Sequence, residues 1–181
     1  MTGREASIAA RLKTVAIKKG MSFQYATLLY MHEGLLRRLA ASPYRERFVL
    51  KGGLLLQCLT ESGGRSTKDI DVLGSGIEND AGTIRTIFAS MVQLIADDGL
   101  RFDEKAMVAD TIVEGAEYHG VRIRIPCYMG TIRNRIQVDV GFGDAVVPPP
   151  REMEYPILVD GSTFSLYTLS LIHISEPTRP Y

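Results

Sequence analysis

Three acidic residues have the spacing on which chemistry could be built. Asp69 and Asp71 stand two apart in Asp69-Ile70-Asp71-Val72-Leu73, and Asp139 lies inside Ile136-Gln137-Val138-Asp139-Val140. In a strand, successive side chains alternate between faces, so Asp69 and Asp71 share one face while Ile70 and Val72 turn to the core. By the same alternation Asp139 falls on the polar face opposite Ile136, Val138 and Val140. Clustered carboxylates are the donors a hard cation such as Mg²⁺ takes, and two bridged ions neutralise a triphosphate, align the attacking oxygen and stabilise the leaving pyrophosphate. A second element faces phosphate: Gly52-Gly53 precedes the apolar run Leu54 to Thr60. A helix start without side chains lets backbone N–H groups approach an anion. Singly, Gly-Gly also serves as a plain turn and Asp-x-Asp as a solvated strand end; the ordered combination is what points to a nucleotide.

The elements around these residues can be read from periodicity. Ser7 to Lys19 has helical spacing, with a stop at Gly20, and Ser22 is a plausible cap for a longer helix that Ser42-Pro43 breaks. Phe48-Val49-Leu50 reads as a strand, Lys51-Gly52-Gly53 as a tight turn, Leu54 to Thr60 as a helix, and Gly63-Gly64 as a loop before the Asp69 strand. Ala81 to Ala96 predicts a helix ending near Asp98-Gly99. Strands are expected at 107–113, 121–127 and 135–141, the second with Val121, Ile123 and Ile125 inward and Arg122 and Arg124 outward. Pro148-Pro149-Pro150 predicts a stiff extended segment, followed by the short apolar run Ile157-Leu158-Val159. The expectation is an α/β fold: N-terminal helices (1–45) packed on a mixed, mainly antiparallel sheet with its helices (46–168).

Bulk properties bound the function classes. With 181 residues, 45% hydrophobic and 23% charged, the composition is that of one ordinary soluble domain with a core of its own. The 21 basic and 21 acidic residues cancel, so any nucleic-acid partner must be met by a local patch. Arg122, Arg124, Arg133 and Arg135 could form such a strip for an RNA backbone; a solvated sheet face or pairing with acidic residues accounts for them equally well. Cys58 and Cys127 give no disulfide framework, which suits the cytoplasm, and no apolar run in the first residues reads as a signal peptide or membrane span. His32 and His119 have no second ligand at zinc spacing, so a zinc site is not expected. The string Leu169 to Arg179 coincides with the translation of a sequencing adaptor. Residues 169–181 are accordingly expected to be non-native, with a C-terminal helical domain missing and the core running over 1–168.

Gly-Gly, a helix, a loop, Asp-hydrophobic-Asp and a later hydrophobic-Asp-hydrophobic strand resemble the polymerase-β-like nucleotidyltransferases. More narrowly, Phe48 to Leu56 with its Lys51-Gly52-Gly53, and Arg65-Ser66-Thr67-Lys68-Asp69-Ile70-Asp71, resemble the AbiEii/AbiGii abortive-infection toxins. Glu33 to Ser42, Tyr118 to Arg122 and Gln137 to Asp144 add to this likeness, which spans roughly residues 6 to 165. The resemblance implies an Mg²⁺-dependent transfer of a nucleoside monophosphate from an NTP to an acceptor, tRNA, as the toxin half of a type IV toxin–antitoxin system of phage defence. It implies Asp69, Asp71 and Asp139 as ligands of two Mg²⁺ ions, with Asp139 also placed to assist deprotonation of the acceptor hydroxyl. Lys51, Gly52, Gly53, Arg65 and Lys68 would serve the phosphates, the three basic residues alternatively offsetting the acidic cluster. A cognate antitoxin is the implied partner, and no membrane. Two other readings fit the same residues: a small-molecule nucleotidyltransferase of the aminoglycoside type, and a non-catalytic nucleotide-binding module.

Overall fold

The computed structural model describes residues 1–60, 66–143 and 149–170, and of Tyr118 and His119 the backbone alone. Helix α1 (Gly3–Lys19) starts earlier than its apolar period suggests, because Thr2 and Glu5 close a capping box, and it ends at Gly20 with φ 67°. Helix α2 (Phe23–Ala41) is capped by Ser22, whose Oγ accepts from the Tyr25 N–H, and stops ahead of Pro43. Strand β1 (Phe48–Lys51) runs into α3 (Gly52–Leu59), and β2 (Asp69–Gly74) returns antiparallel to β1.

Helix α4 (Ala81–Val92) is capped by Asp80 and is shorter than the predicted 81–96. Beyond Val92 the chain turns, with the Leu94 N–H bonded to the Met91 carbonyl, and carries Asp98 into the interior. There the Asp98 carboxylate accepts from Arg38 Nη1 at 2.7 Å and Arg37 Nη2 at 3.2 Å, while its carbonyl accepts from the Tyr30 hydroxyl at 2.8 Å. A buried carboxylate demands such partners, and continuing the helix would forfeit them.

Strands β3 (Arg101–Phe102), β4 (Val108–Glu114), β5 (Glu117–Met129), β6 (Ile132–Phe142), β7 (Arg151–Pro156) and β8 (Thr163–Thr168) complete a sheet of order β3-β5-β6-β2-β1-β8-β7, with β4 paired to β5. The pairings β2 with β6 and β1 with β8 are parallel and the others antiparallel, so the mixed, mainly antiparallel α/β architecture read from the sequence is the one observed. The β7–β8 hairpin was not legible, and Ile157-Leu158-Val159 lies in its connection, closed by Ile157 N–H to the Ser162 carbonyl at 2.7 Å. These strands bury few residues, chiefly Tyr155, Leu166 and Thr168, so they lack a clean alternation.

Phe48, Leu50, Ile70, Val72, Ile123, Ile125, Ile136, Val138 and Val140 form a buried sheet face under Leu35, Leu36 and Leu39 of α2 and Ile84, Phe88 and Met91 of α4. Period-2 alternation therefore leaves Asp69, Asp71, Arg122, Arg124, Gln137 and Asp139 together on the opposite face. Leu169 continues past β8, its N–H donating to the Leu50 carbonyl at 3.0 Å. Residues 171–181 of the adaptor-like string lie outside the described residues.

Candidate active site

Register decides which side chains become neighbours. Asp71 stands opposite Asp139 on parallel β6 and opposite Lys51 on β1, and Asp139 stands opposite Arg122 on β5. One row across four strands therefore reads Lys51, Asp71, Asp139, Arg122: two carboxylates between two cations. Asp69 sits two residues along β2, opposite Gln137. Directly opposed like charges repel, and the carboxyls record it. Burial first, and then the Asp139 charge, holds the Asp71 carboxyl above its ordinary range, with Lys51 pulling the other way. The same two causes raise Asp69, offset by Arg122.

Arg122 makes the strongest single contact of the site. Its Nε donates to Asp139 Oδ1 at 2.8 Å and its Nη2 to Oδ2 at 3.0 Å, a bidentate fork. Both oxygens of Asp139 are thus engaged. Among the described residues, no three of His, Cys, Asp or Glu stand close enough together to hold a metal ion. Asp69 and Asp71 present oxygens of the kind a hard cation takes, and each Asp139 oxygen, one lone pair given to Arg122, retains another.

The glycines have steric reasons to be there. Gly52 has φ +75°, and a Cβ on it would lie 2.5 Å from Asp71 Oδ2, so the turn fits against that carboxylate only without a side chain. A Cβ on Gly53 would lie 3.3 Å from Thr67. Lys51, the residue before α3, makes no side-chain capping bond, which leaves the first N–H groups of the helix for an incoming acceptor. Gly141, which the sequence reading passed over, belongs here too: a Cβ on it would lie 3.2 Å from Lys51 Nζ. The missing side chain on β6 leaves space for that ammonium; a glycine two residues beyond Asp139 in the same strand was the available signal.

A cavity of about 700 Å³ opens beside this row, lined by Gly53, Leu56, Gln57, Thr60, Ser66, Thr67, Lys68 and Asp69. Lys68 is exposed at its wall. Of the sequence-predicted residues, the fold brings together Lys51, Gly52, Gly53, Lys68, Asp69, Asp71 and Asp139, while Arg65 lies outside the described residues.

The arginine strip divides. Arg122 is paired with Asp139, and Arg124 Nη1 reaches Asp110 at 3.4 Å, so pairing accounts for these two. Farther along the same face, Arg133 and Arg101 lie 5.7 and 4.3 Å from the Tyr128 ring centroid. Arg135 lines a shallow recess with Arg124. His32 is a fully buried packing residue of α2. Burial pushes its imidazole down to about 4, and neither ring nitrogen makes a well-formed hydrogen bond. No described helix is long and apolar enough to cross a membrane.

The structure resembles the crystal structure of JHP933 from Helicobacter pylori, at 14% identity and a TM-score of 0.50, over 84% of this chain and 55% of that one. It also resembles the crystal structure of a putative nucleotidyltransferase from H. pylori, at 15% identity and a TM-score of 0.48, over 85% of this chain and 57% of that one. The chain spans a little over half the length of these structures. No curated protein matches it. The model of the family described as nucleotidyl transferase AbiEii toxin, type IV toxin–antitoxin system, matches residues 34–174, a stretch that contains every carboxylate of the row and the glycine turn. The chain belongs to the AbiEii nucleotidyl transferase toxin family.

Proposed function

We propose that this chain carries the centre of an Mg²⁺-dependent transferase that moves a nucleoside monophosphate from an NTP to the 3′ end of tRNA, as the toxin partnered by a cognate antitoxin. The observation that carries the reading is the cross-strand row of Asp71 and Asp139, with Asp69 beside it, adjoining an uncapped helix start at Gly52-Gly53. Carboxylates on one side and helix N–H groups on the other are what a metal-bound triphosphate needs. Asp69, Asp71 and Asp139 would hold Mg²⁺, Asp139 sharing its carboxylate with Arg122. Lys51 and Lys68 would meet the phosphates, as would Arg65 by family likeness. What favours RNA over a small acceptor is the basic, aromatic-bearing surface of Arg101, Tyr128, Arg133 and Arg135 on the same sheet. The Arg122 grip on Asp139 favours a second reading, NTP binding without turnover.

The test is transfer of label from each NTP to total tRNA in the presence of Mg²⁺, beside an Asp69→Ala variant and an aminoglycoside acceptor. Labelled tRNA in the wild type and none in the variant supports the proposal. Equal labelling in both overturns it, labelled aminoglycoside replaces the acceptor, and calorimetric NTP binding without any transfer supports the second reading.

A further inference from the structure

A hydrogen-bond relay behind the cavity is not accounted for by any of the residues above. The Thr67 N–H donates to the Tyr25 hydroxyl oxygen at 3.1 Å, and that hydroxyl donates to Gln57 Oε1 at 3.0 Å. The three residues come from the approach to β2, from α2 and from α3, so the relay joins the segment that delivers Asp69 to the helix that starts at the glycine turn. Its direction follows from the donors. A backbone N–H can only donate, so Tyr25 must accept from Thr67, and its single proton is then satisfied only by an oxygen. That orients the Gln57 amide: its oxygen faces Tyr25, and its NH₂ group is turned away from that hydroxyl. Gln57 is also part of the cavity wall.

Gln57 is four residues beyond Gly53, about 6 Å farther along the helix axis. Gln57 shares the cavity wall with Gly53 and Asp69, so an NTP with its phosphates at the start of α3 and its nucleoside in the cavity meets Gln57. Resting on the nucleotidyl-transfer reading above, we infer that Gln57 is a base-reading residue: its NH₂ donates to an acceptor atom of the nucleotide's base, and Tyr25 is the positioning residue that holds the amide in the donating orientation. Leu56 and Thr60, one turn of helix around Gln57 on the same wall, present no competing amide. The polarity has a consequence. The site discriminates between bases by where on the exposed edge an acceptor lies, and removal of the Tyr25 hydroxyl lets the amide flip and weakens that preference.

Calorimetric titration of ATP, CTP, GTP and UTP, each with Mg²⁺, into the chain and into Gln57→Leu, Gln57→Glu, Tyr25→Phe and the Tyr25→Phe/Gln57→Leu double variant tests this. Circular dichroism melting is run on each to confirm folding. The preferred NTP is expected to bind Gln57→Leu five- to tenfold more weakly, roughly one net hydrogen bond. Gln57→Glu, which replaces a donor by an acceptor, should alter the ranking of the four bases. Tyr25→Phe should lower affinity less, and the double variant should be no worse than Gln57→Leu alone, because Tyr25 acts through Gln57. Unchanged affinity in Gln57→Leu, an equal loss for all four NTPs, or additive losses in the double variant overturn the inference while leaving nucleotidyl transfer standing. A wild-type chain that binds none of the four overturns both.

Discussion

The Glu33→Gln substitution should make the protein more stable at neutral pH and flatten its dependence on pH. Glu33 lies in the middle of α2, 3% exposed; its Oε1 accepts from the Leu158 N–H at 2.8 Å, and its Oε2 has no partner. Burial pushes this carboxyl up from 4.5 to about 8, only partly offset by the Leu158 N–H, Arg37 and Lys19, while Asp160 adds to the rise. A folded-state value above the unfolded one means that folding takes up a proton between the two. This contribution is complete below pH 4.5 and is lost as the pH rises towards 8. His32, next along the helix, acts in the opposite sense: its folded value is depressed from 6.5 to about 4, so its contribution is complete above 6.5 and is lost on acidification. The two slopes oppose each other between 4.5 and 6.5, and between 6.5 and 8 Glu33 acts without His32. At about 1.4 kcal/mol per unit, stability should fall by roughly 2 kcal/mol across that window. Urea unfolding at half-unit steps from pH 6 to 8.5 measures it. The introduced amide keeps an acceptor for the Leu158 N–H and cannot ionise, so the variant's curve should be flat between 6.5 and 8 and should lie above the wild type at pH 7.5. Equal slopes for the two proteins would refute the assignment of that proton to Glu33.

Gly52→Ala should cost about 1–3 kcal/mol in chemical denaturation, for a side chain at positive φ pressed against Asp71, and should abolish transfer to the acceptor. Asp71→Asn removes one of two mutually repelling carboxylates; its thermal midpoint should rise while transfer falls by orders of magnitude, and loss of both together would mean that Asp71 is structural. Arg38→Ala leaves the buried Asp98 carboxylate to Arg37 and the Leu100 N–H and should cost about 3–5 kcal/mol of unfolding free energy. Under the proposed mechanism, chelation by EDTA should abolish labelling, and excess Mg²⁺ should restore it.

The sequence alone determined the local pieces of this protein. The strict alternation of Asp69-Ile70-Asp71-Val72 and of Ile136 to Val140 settled which face each carboxylate takes, because a strand has a period of two whatever surrounds it. Ser22 and Gly20 settled where helices begin and end, since capping is satisfied within a few residues. Short β7, mostly exposed, and β8, with Leu166 and Thr168 its buried residues, left no such pattern, and the end of α4 was moved by a long-range pairing with Asp98. Only the tertiary structure decided who stands beside whom. That Asp139 neighbours Asp71 on one side and is forked by Arg122 on the other depends on the strand order β5-β6-β2-β1. That Glu33 meets the Leu158 N–H, and Tyr25 ties Thr67 to Gln57, depends on partners far apart in the chain. Charge pairing and desolvation are properties of neighbours in space, and periodicity records only the direction in which each residue faces.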